Sequence, residues 1–301
     1  MSIKTLKNEF LKYLERDLRR SAKTLEAYDL YLSRFVSWLE KERVSSLAKV
    51  NEAMVKRYKG WLKGLRLENG KKLGAKTINY HLIALRMLFV FARRKNKKIL
   101  SPSLIELGDQ SALELVFLTN RELVKLLDAP MASVEFLSEK VLIQLRDKAV
   151  LEFLFATGVK INDVVGFKKS DLKYFKLGQQ AQYWIKKYLD NRADKLPFLF
   201  VSYDRARNVR NQQAPSVAAL TPRSLQRIVK KYSVAAGLDK KVTPQVLRNT
   251  FGRRLLDAGA TVKEMQKAMG FASELAAKIY VDSLKRADGL SLRACPPLWR
   301  A

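Results

Sequence analysis

Histidine and cysteine are almost missing from this chain of 301 residues: there is one of each, His81 and Cys295. A lone cysteine excludes an internal disulfide framework and suits a reducing compartment. One imidazole and one thiol argue against an ordinary zinc centre, while a magnesium site built from carboxylates stays open on composition. Acid is scarce as well, with 29 Asp+Glu against 58 Lys+Arg. Long apolar runs are absent: no stretch of 18 uncharged apolar residues offers a membrane span. The start, MSIKTLKNEF, has no apolar core of the signal-peptide kind. These absences lead us to expect a cytoplasmic protein with no membrane partner.

What the chain does hold is basic charge. The net charge is +29 and the pI about 10.2. Solubility needs far less, and such an excess repels itself in a compact fold unless a polyanion offsets it. Nucleic acid is therefore favoured over an acidic membrane surface as partner. The charge is also uneven. Residues 1–100 carry a net +16, residues 101–150 a net −3, and residues 151–301 a net +16. With 48% apolar residues and this length, two domains with ordinary cores are expected. They are placed at 1–105 and 119–301, joined by a linker over 106–118 in which Gly-Asp and a loss of positive charge mark the boundary.

The first hundred residues read as four helices. Leu6, Phe10, Tyr13, Leu14 and Leu18 recur at three- and four-residue steps, and Leu25, Tyr28, Leu32, Phe35, Val36 and Leu39 continue the pattern behind an N-cap at Ser21. A third helix covers NEAMVKRYKGWLKGL, and ENGKKLG is a turn. The fourth, KTINYHLIALRMLFVFARRKN, puts Ile78, Leu82, Leu85 and Phe89 on one face and Lys76, Asn79, Arg86, Arg93 and Arg94 on another. That polar face is either solvated surface or a nucleic-acid contact. The following ARRKNKK cluster favours contact. Beyond the linker, Thr119 and Glu122 form a capping-box pattern. LRDKAVLEFLFATGVKINDVV reads as helix, glycine turn and short helix. LPFLFVSY is a short strand-like run, and two later helices open with Thr-Pro.

Several of these segments, in order, resemble the tyrosine recombinase (phage integrase) family, most closely its Xer-like branch. SAKTLEAYDLYLSRFVSWL and LGAKTINYHLIALRMLFVFA look like the helical, SAM-like core-binding domain. RDKAVLEFLFATGVKINDVVGFKKSDL looks like the first catalytic motif. TPQVLRNTF with MGF and the final IY looks like the second. The resemblance implies a mainly α fold with a small, reduced β component: two domains closing as a C-shaped clamp on duplex DNA. It implies a tyrosine that attacks a backbone phosphate to give a 3′-phosphotyrosyl link, with no metal, cofactor or small-molecule substrate, and self-association on DNA. In such chemistry two arginines hold the charged phosphate oxygens, a lysine on a β-hairpin protonates the leaving oxygen, and histidines move protons.

Carried over residue by residue, Tyr280 stands at the nucleophile and Arg248 at the second arginine. Lys160 stands at the first arginine, and Asp163 is the acidic orienter soon after it. Gln245, Asn249 and Phe271 occupy positions where the family has histidine, or histidine or tryptophan. The hairpin lysine has no counterpart: SDLKYFKLGQQAQYW runs straight into a helix, leaving Lys173 and Lys176 as the nearest candidates. Lysine lacks the planar fork of arginine, glutamine cannot shuttle protons near neutrality, and phenylalanine can do neither. Two functions stay open. One is a site-specific recombinase or integrase acting through Tyr280. The other is a catalytically impaired relative that binds DNA in an architectural or regulatory role. Tyr280 also has a bland alternative as a packing residue of its helix, and Arg248 as an ion-pairing one. A Thr-Pro helix start upstream favours a phosphate-facing Arg248. The apolar residues of the tail, Leu290, Leu292, Leu298 and Trp299, suit either docking on a neighbouring subunit or packing at home.

Overall fold

The computed structural model describes residues 2–94, 98–108, 115–132, 140–203 and 217–287, and it separates the chain into two compact units, Met1–Leu113 and Glu114–Ala301. The candidate tail anchors from Leu290 onward lie outside the described residues.

The first unit is helical. Helices α1 (Ile3–Arg16), α2 (Ala22–Lys41), α3 (Glu52–Gly64) and α4 (Ala75–Arg93) are each fixed by local signals. Ser2, Ser21 and Asn51 accept from backbone N–H groups three residues on, closing the first turns of α1, α2 and α3. The apolar stripes meet in one core, where Phe10, Phe35, Leu39, Tyr58, Leu62, Leu82, Leu85 and Phe89 are fully buried or nearly so. Leu18 departs from the expected stripe. Helix α1 ends at Arg16, and Leu18 lies in the connection to α2, exposed.

The second unit has its core around α6 (Lys140–Thr157). Helix α5 (Asn120–Asp128) carries the capping box read from the sequence, with Thr119 and Glu122 bonded reciprocally. After α6 come the short α7 (Ile161–Val164), a 3₁₀ segment (Lys169–Tyr174) and α8 (Gln179–Asp190), which packs along α6. Among the described residues of this unit the sheet is one antiparallel pair, Val201–Tyr203 with Val217–Ala219, and Phe198 adds an isolated bridge to Lys168, so the strand-like run LPFLFVSY yields four paired residues. Helices α9 (Pro222–Ala235), α10 (Pro244–Asp257), α11 (Val262–Met269) and α12 (Glu274–Arg286) complete the unit. Both Thr-Pro signals hold: Thr221 and Thr243 are N-caps, each followed by proline at the first helical position.

A buried charge network stiffens α6. Lys148, 1% exposed, bonds to Glu152 at 2.8 Å and Asp128 at 3.0 Å and lies 5.0 Å from the Trp184 ring centre. Just before it in the helix, Arg146 bonds to Asp147, which also accepts from the Tyr232 hydroxyl at 2.9 Å. These contacts tie α5, α8 and α9 to α6. The turn at the end of α6 therefore has a fixed position, and that turn forms one wall of the site.

Candidate active site

Gly158 makes that turn. Its φ of +56° lies in the left-handed region, and a Cβ there would sit 2.2 Å from the Phe251 ring, so only glycine lets α6 end against α10. Its carbonyl accepts from Arg248 Nη1, and Met269 O accepts from Arg248 Nη2 at 2.7 Å. Arg248 is 5% exposed, and its guanidinium lies 5.2 Å from the Phe271 ring centre. Arg248 thus braces the α6 turn and the end of α11 from the second turn of α10. Burial lowers its pKa, with Tyr280 and Asp163 opposing through their charge. The sequence placed this arginine facing a phosphate. The structure commits two of its nitrogens to backbone carbonyls, while the side chain still lines a cleft.

That cleft, of about 710 Å³, gathers Lys160, Gln245 and Arg248 with Asn162, Lys230 and Lys241. Lys160 is exposed at the N-cap of α7, and Asp163 is exposed in the same helix. Lys230 and Lys241 were not singled out in the sequence, although the run LDKKVTP just before the α10 cap was the available signal. Lys240, also at the cleft, is paired with Glu122 at 2.9 Å.

Tyr280 projects from α12 onto α10. Its hydroxyl donates to Asn249 Oδ1 at 3.3 Å, and Gln245 Nε2 donates to the same oxygen at 2.9 Å. Asn249 Nδ2 in turn donates to Val116 O at 3.3 Å. The Phe271 ring centre is 5.1 Å from that of Tyr280. A Cβ at Gly252 would come within 2.6 Å of the phenolic oxygen, so that glycine makes room for the hydroxyl. Burial pushes the phenol up to about 12, with Arg248 pulling the other way. The structure therefore joins Tyr280, Arg248, Phe271, Gln245 and Asn249 through direct contacts, and places Lys160 on the same cleft as Arg248 and Gln245. Asn249, read from the sequence only as a lost histidine, is the group that touches the phenol.

Lys173 and Lys176 are exposed, and Lys173 Nζ lies 5.0 Å from the Tyr174 ring centre. Residues 168–179 contain the 3₁₀ segment and the entry to α8 with no hairpin, as the sequence implied.

The polar face of α4 needs correction. Asn79 is 4% exposed. Its Nδ2 donates to Gly108 O at 3.1 Å and its Oδ1 accepts from Gly108 N at 2.7 Å. Arg86 Nε donates to Ile105 O at 2.6 Å, and Arg94 Nη1 donates to the Tyr13 hydroxyl at 3.0 Å. Asn79 and Arg86 therefore hold the segment that follows the first unit's last helical turn, and Arg94 braces α1. Lys76 is exposed, and Arg93 partly so. Asn79→Ala should lower the stability of the first unit by about 1–2 kcal/mol and leave duplex affinity unchanged. Denaturant melts paired with a binding titration check both parts.

The fold defines a two-domain, mostly helical tyrosine recombinase scaffold, and the comparisons agree. Residues 8–96 match the phage integrase N-terminal SAM-like domain, and residues 168–286 match the phage integrase family. The chain belongs to that family, among its Xer-like tyrosine recombinases. It is 29% identical over 297 residues to tyrosine recombinase XerD of Chlorobaculum tepidum, covering 92% of this chain and 91% of the relative. It is 26% identical to XerC of Halalkalibacterium halodurans, covering 92% of each. Its fold is similar to that of the Tn1549 transposon integrase in complex with circular intermediate DNA, with a TM-score of 0.66 at 20% identity, over 97% of this chain and 100% of that one. It is also similar to a lambda integrase dimer bound to a core site, with a TM-score of 0.64 at 16% identity, over 98% and 99%.

Proposed function

We propose that this protein binds duplex DNA in the cytoplasm, self-associates on it, and has kept the family's nucleophile in a site where strand transfer is slow. The +29 charge and the relatives' DNA complexes support the partner. One observation carries the kinetic part: the Tyr280 hydroxyl donates to a carboxamide oxygen, Asn249 Oδ1, which cannot take its proton. In the reaction, Tyr280 Oη would attack the backbone phosphorus as the 5′ oxygen departs, leaving a 3′-phosphotyrosyl ester. Arg248 and Lys160 would face the developing charge on the phosphate oxygens. Gln245 and Phe271 add no proton donor or acceptor of suitable strength, and Asp163 would act on Arg248 only through its field. A missing acid–base group costs roughly 100- to 10,000-fold in rate.

The test is a nicked duplex carrying a site selected from a random library. We expect wild-type protein to give only a trace of covalent adduct at neutral pH, and Tyr280→Phe to bind that duplex as tightly as wild type while giving none. Abundant adduct from wild type at neutral pH would overturn the slow-transfer part. Absence of duplex binding at low salt would overturn the rest.

A further inference from the structure

We propose that His81 is a positioning residue for Arg34: its bare Nε2 orients the guanidinium, with its charge intact, toward a pair of acceptor atoms on duplex DNA, and protonation of the ring releases it. This rests on the duplex-binding reading above and adds regulation by pH.

Two hydrogen bonds fix the state of the ring. His81, 1% exposed, places Nδ1 2.9 Å from Thr77 O and Nε2 3.1 Å from Arg34 Nη1. A carbonyl can only accept, so Nδ1 carries the proton. A guanidinium can only donate, so Nε2 is bare. The Tyr31 ring packs against the imidazole, tilted by 40° with 4.3 Å between centres.

This pairing differs from the ion pairs of the unit and, like those of Arg86 with Ile105 O and Arg94 with the Tyr13 hydroxyl, uses a neutral acceptor. Lys4 bonds to Glu40, Lys7 to Asp29, Lys56 to Glu52 and Arg57 to Glu42. In each case a carboxylate cancels the cation. Arg34 is oriented by a neutral acceptor instead, so it keeps its full charge and its remaining N–H donors, the combination that recognises phosphate oxygens or a guanine edge bidentately. On α4 the neighbouring positions are the exposed Lys76 and Tyr80, which bring no acid to that face.

The groups facing the ring make the pair a switch. From α2 come Arg34 and the tilted Tyr31 ring. From α3, Tyr58 feels the Arg34 charge, but burial raises its pKa and keeps it neutral. The influences resolved on the ring are burial and Arg34, which disfavour its charged form, and the Thr77 carbonyl, which favours it. An imidazolium here would hold two cations at hydrogen-bond distance with no acceptor between them, and Arg34 would leave.

The experiment is fluorescence anisotropy with a labelled duplex of mixed sequence. At neutral pH, Arg34→Ala and His81→Phe should each weaken binding by about tenfold, and the double variant no further. His81→Gln, whose Oε1 can accept but not titrate, should restore most of the affinity. Acidifying from about pH 7 to about pH 5 should weaken wild type although it adds positive charge, and should leave His81→Gln unmoved. A salt slope reduced by about one in Arg34→Ala assigns the contact to phosphate; an unchanged slope with relaxed sequence preference assigns it to a base edge. The proposal falls if wild type binds duplex and Arg34→Ala binds within about twofold of it, or if wild type and His81→Gln share one pH profile. A second readout needs no DNA. His81 is the single histidine, so its ring nitrogens are unambiguous by NMR. They should show the neutral Nδ1–H form, with a midpoint that rises in Arg34→Ala. An unmoved midpoint overturns the pairing itself. A moved midpoint without any duplex binding leaves the pairing intact and removes only its DNA role, together with the functional reading on which that rests.

Discussion

Arg248→Ala should destabilise the second unit by on the order of 3–5 kcal/mol, a loss far beyond that of an exposed phosphate ligand. Arg248 is 5% exposed, and its guanidinium is bonded to Gly158 O and Met269 O. Truncation leaves both carbonyls in a buried place without a donor, at about 1–3 kcal/mol each, and opens a void beside Phe271. Arg248→Lys should recover part of this. An ammonium keeps the charge, but it lacks the planar fork that spans two carbonyls. Hydrogen exchange read along α10 isolates the second unit from the first. We expect protection there to drop by several orders of magnitude in the alanine variant. Protection equal to wild type, with only DNA affinity lost, would mean that Arg248 serves the ligand alone. The brace also constrains any account of activity. A dead Arg248 variant reports on catalysis only if it is shown to be folded.

How far the site could be read in the sequence depends on the range of each interaction. The caps at Ser21, Thr119, Thr221 and Thr243 are local, involving a side chain and a backbone N–H three residues away, and all four stand where the sequence puts them. The apolar stripes of α2 and α4 are equally local in cause, and their cores follow. The missing hairpin was legible for the same reason, because residues 168–179 leave no room for one. What stayed hidden depends on chain segments far apart. Helical projection correctly puts Asn79 and Arg86 on a polar face, but nothing in the spacing says that Ile105 and Gly108 fold back onto it. Arg248 finds its two carbonyls 90 and 21 residues away. Gly252 looks like a weak point in a helix until Tyr280, from another helix, is seen to need the space. Asn249 was legible as a change of residue type and not as the partner of the phenol.

That partnership sets the second large effect. Whatever adduct the wild-type protein forms should form about ten times faster for each unit of pH above neutrality, close to 100-fold over two units. With the phenol pushed up to about 12 by burial, the phenolate is on the order of 10⁻⁵ of the total at pH 7. Neither Gln245 nor Asn249 can take the proton during attack. The reactive form is the deprotonated one and the folded-state pKa is raised, so activity is lost as pH falls and gained as it rises, with no plateau below about 12. Saturating DNA removes the separate effect of pH on binding. Asn249→His places an imidazole at the position that now accepts from Tyr280. It should raise the neutral-pH rate by on the order of 100-fold and bend the profile into a plateau above the imidazole midpoint. Single-turnover adduct formation on the nicked duplex, followed on denaturing gels across pH, separates the two shapes. A wild-type profile that is already flat near neutrality would show that another group takes the proton, and the slow-transfer account would fail with it. A steep profile that the histidine flattens would place the impairment at one atom, Asn249 Oδ1, rather than at the phosphate contacts proposed for Arg248 and Lys160.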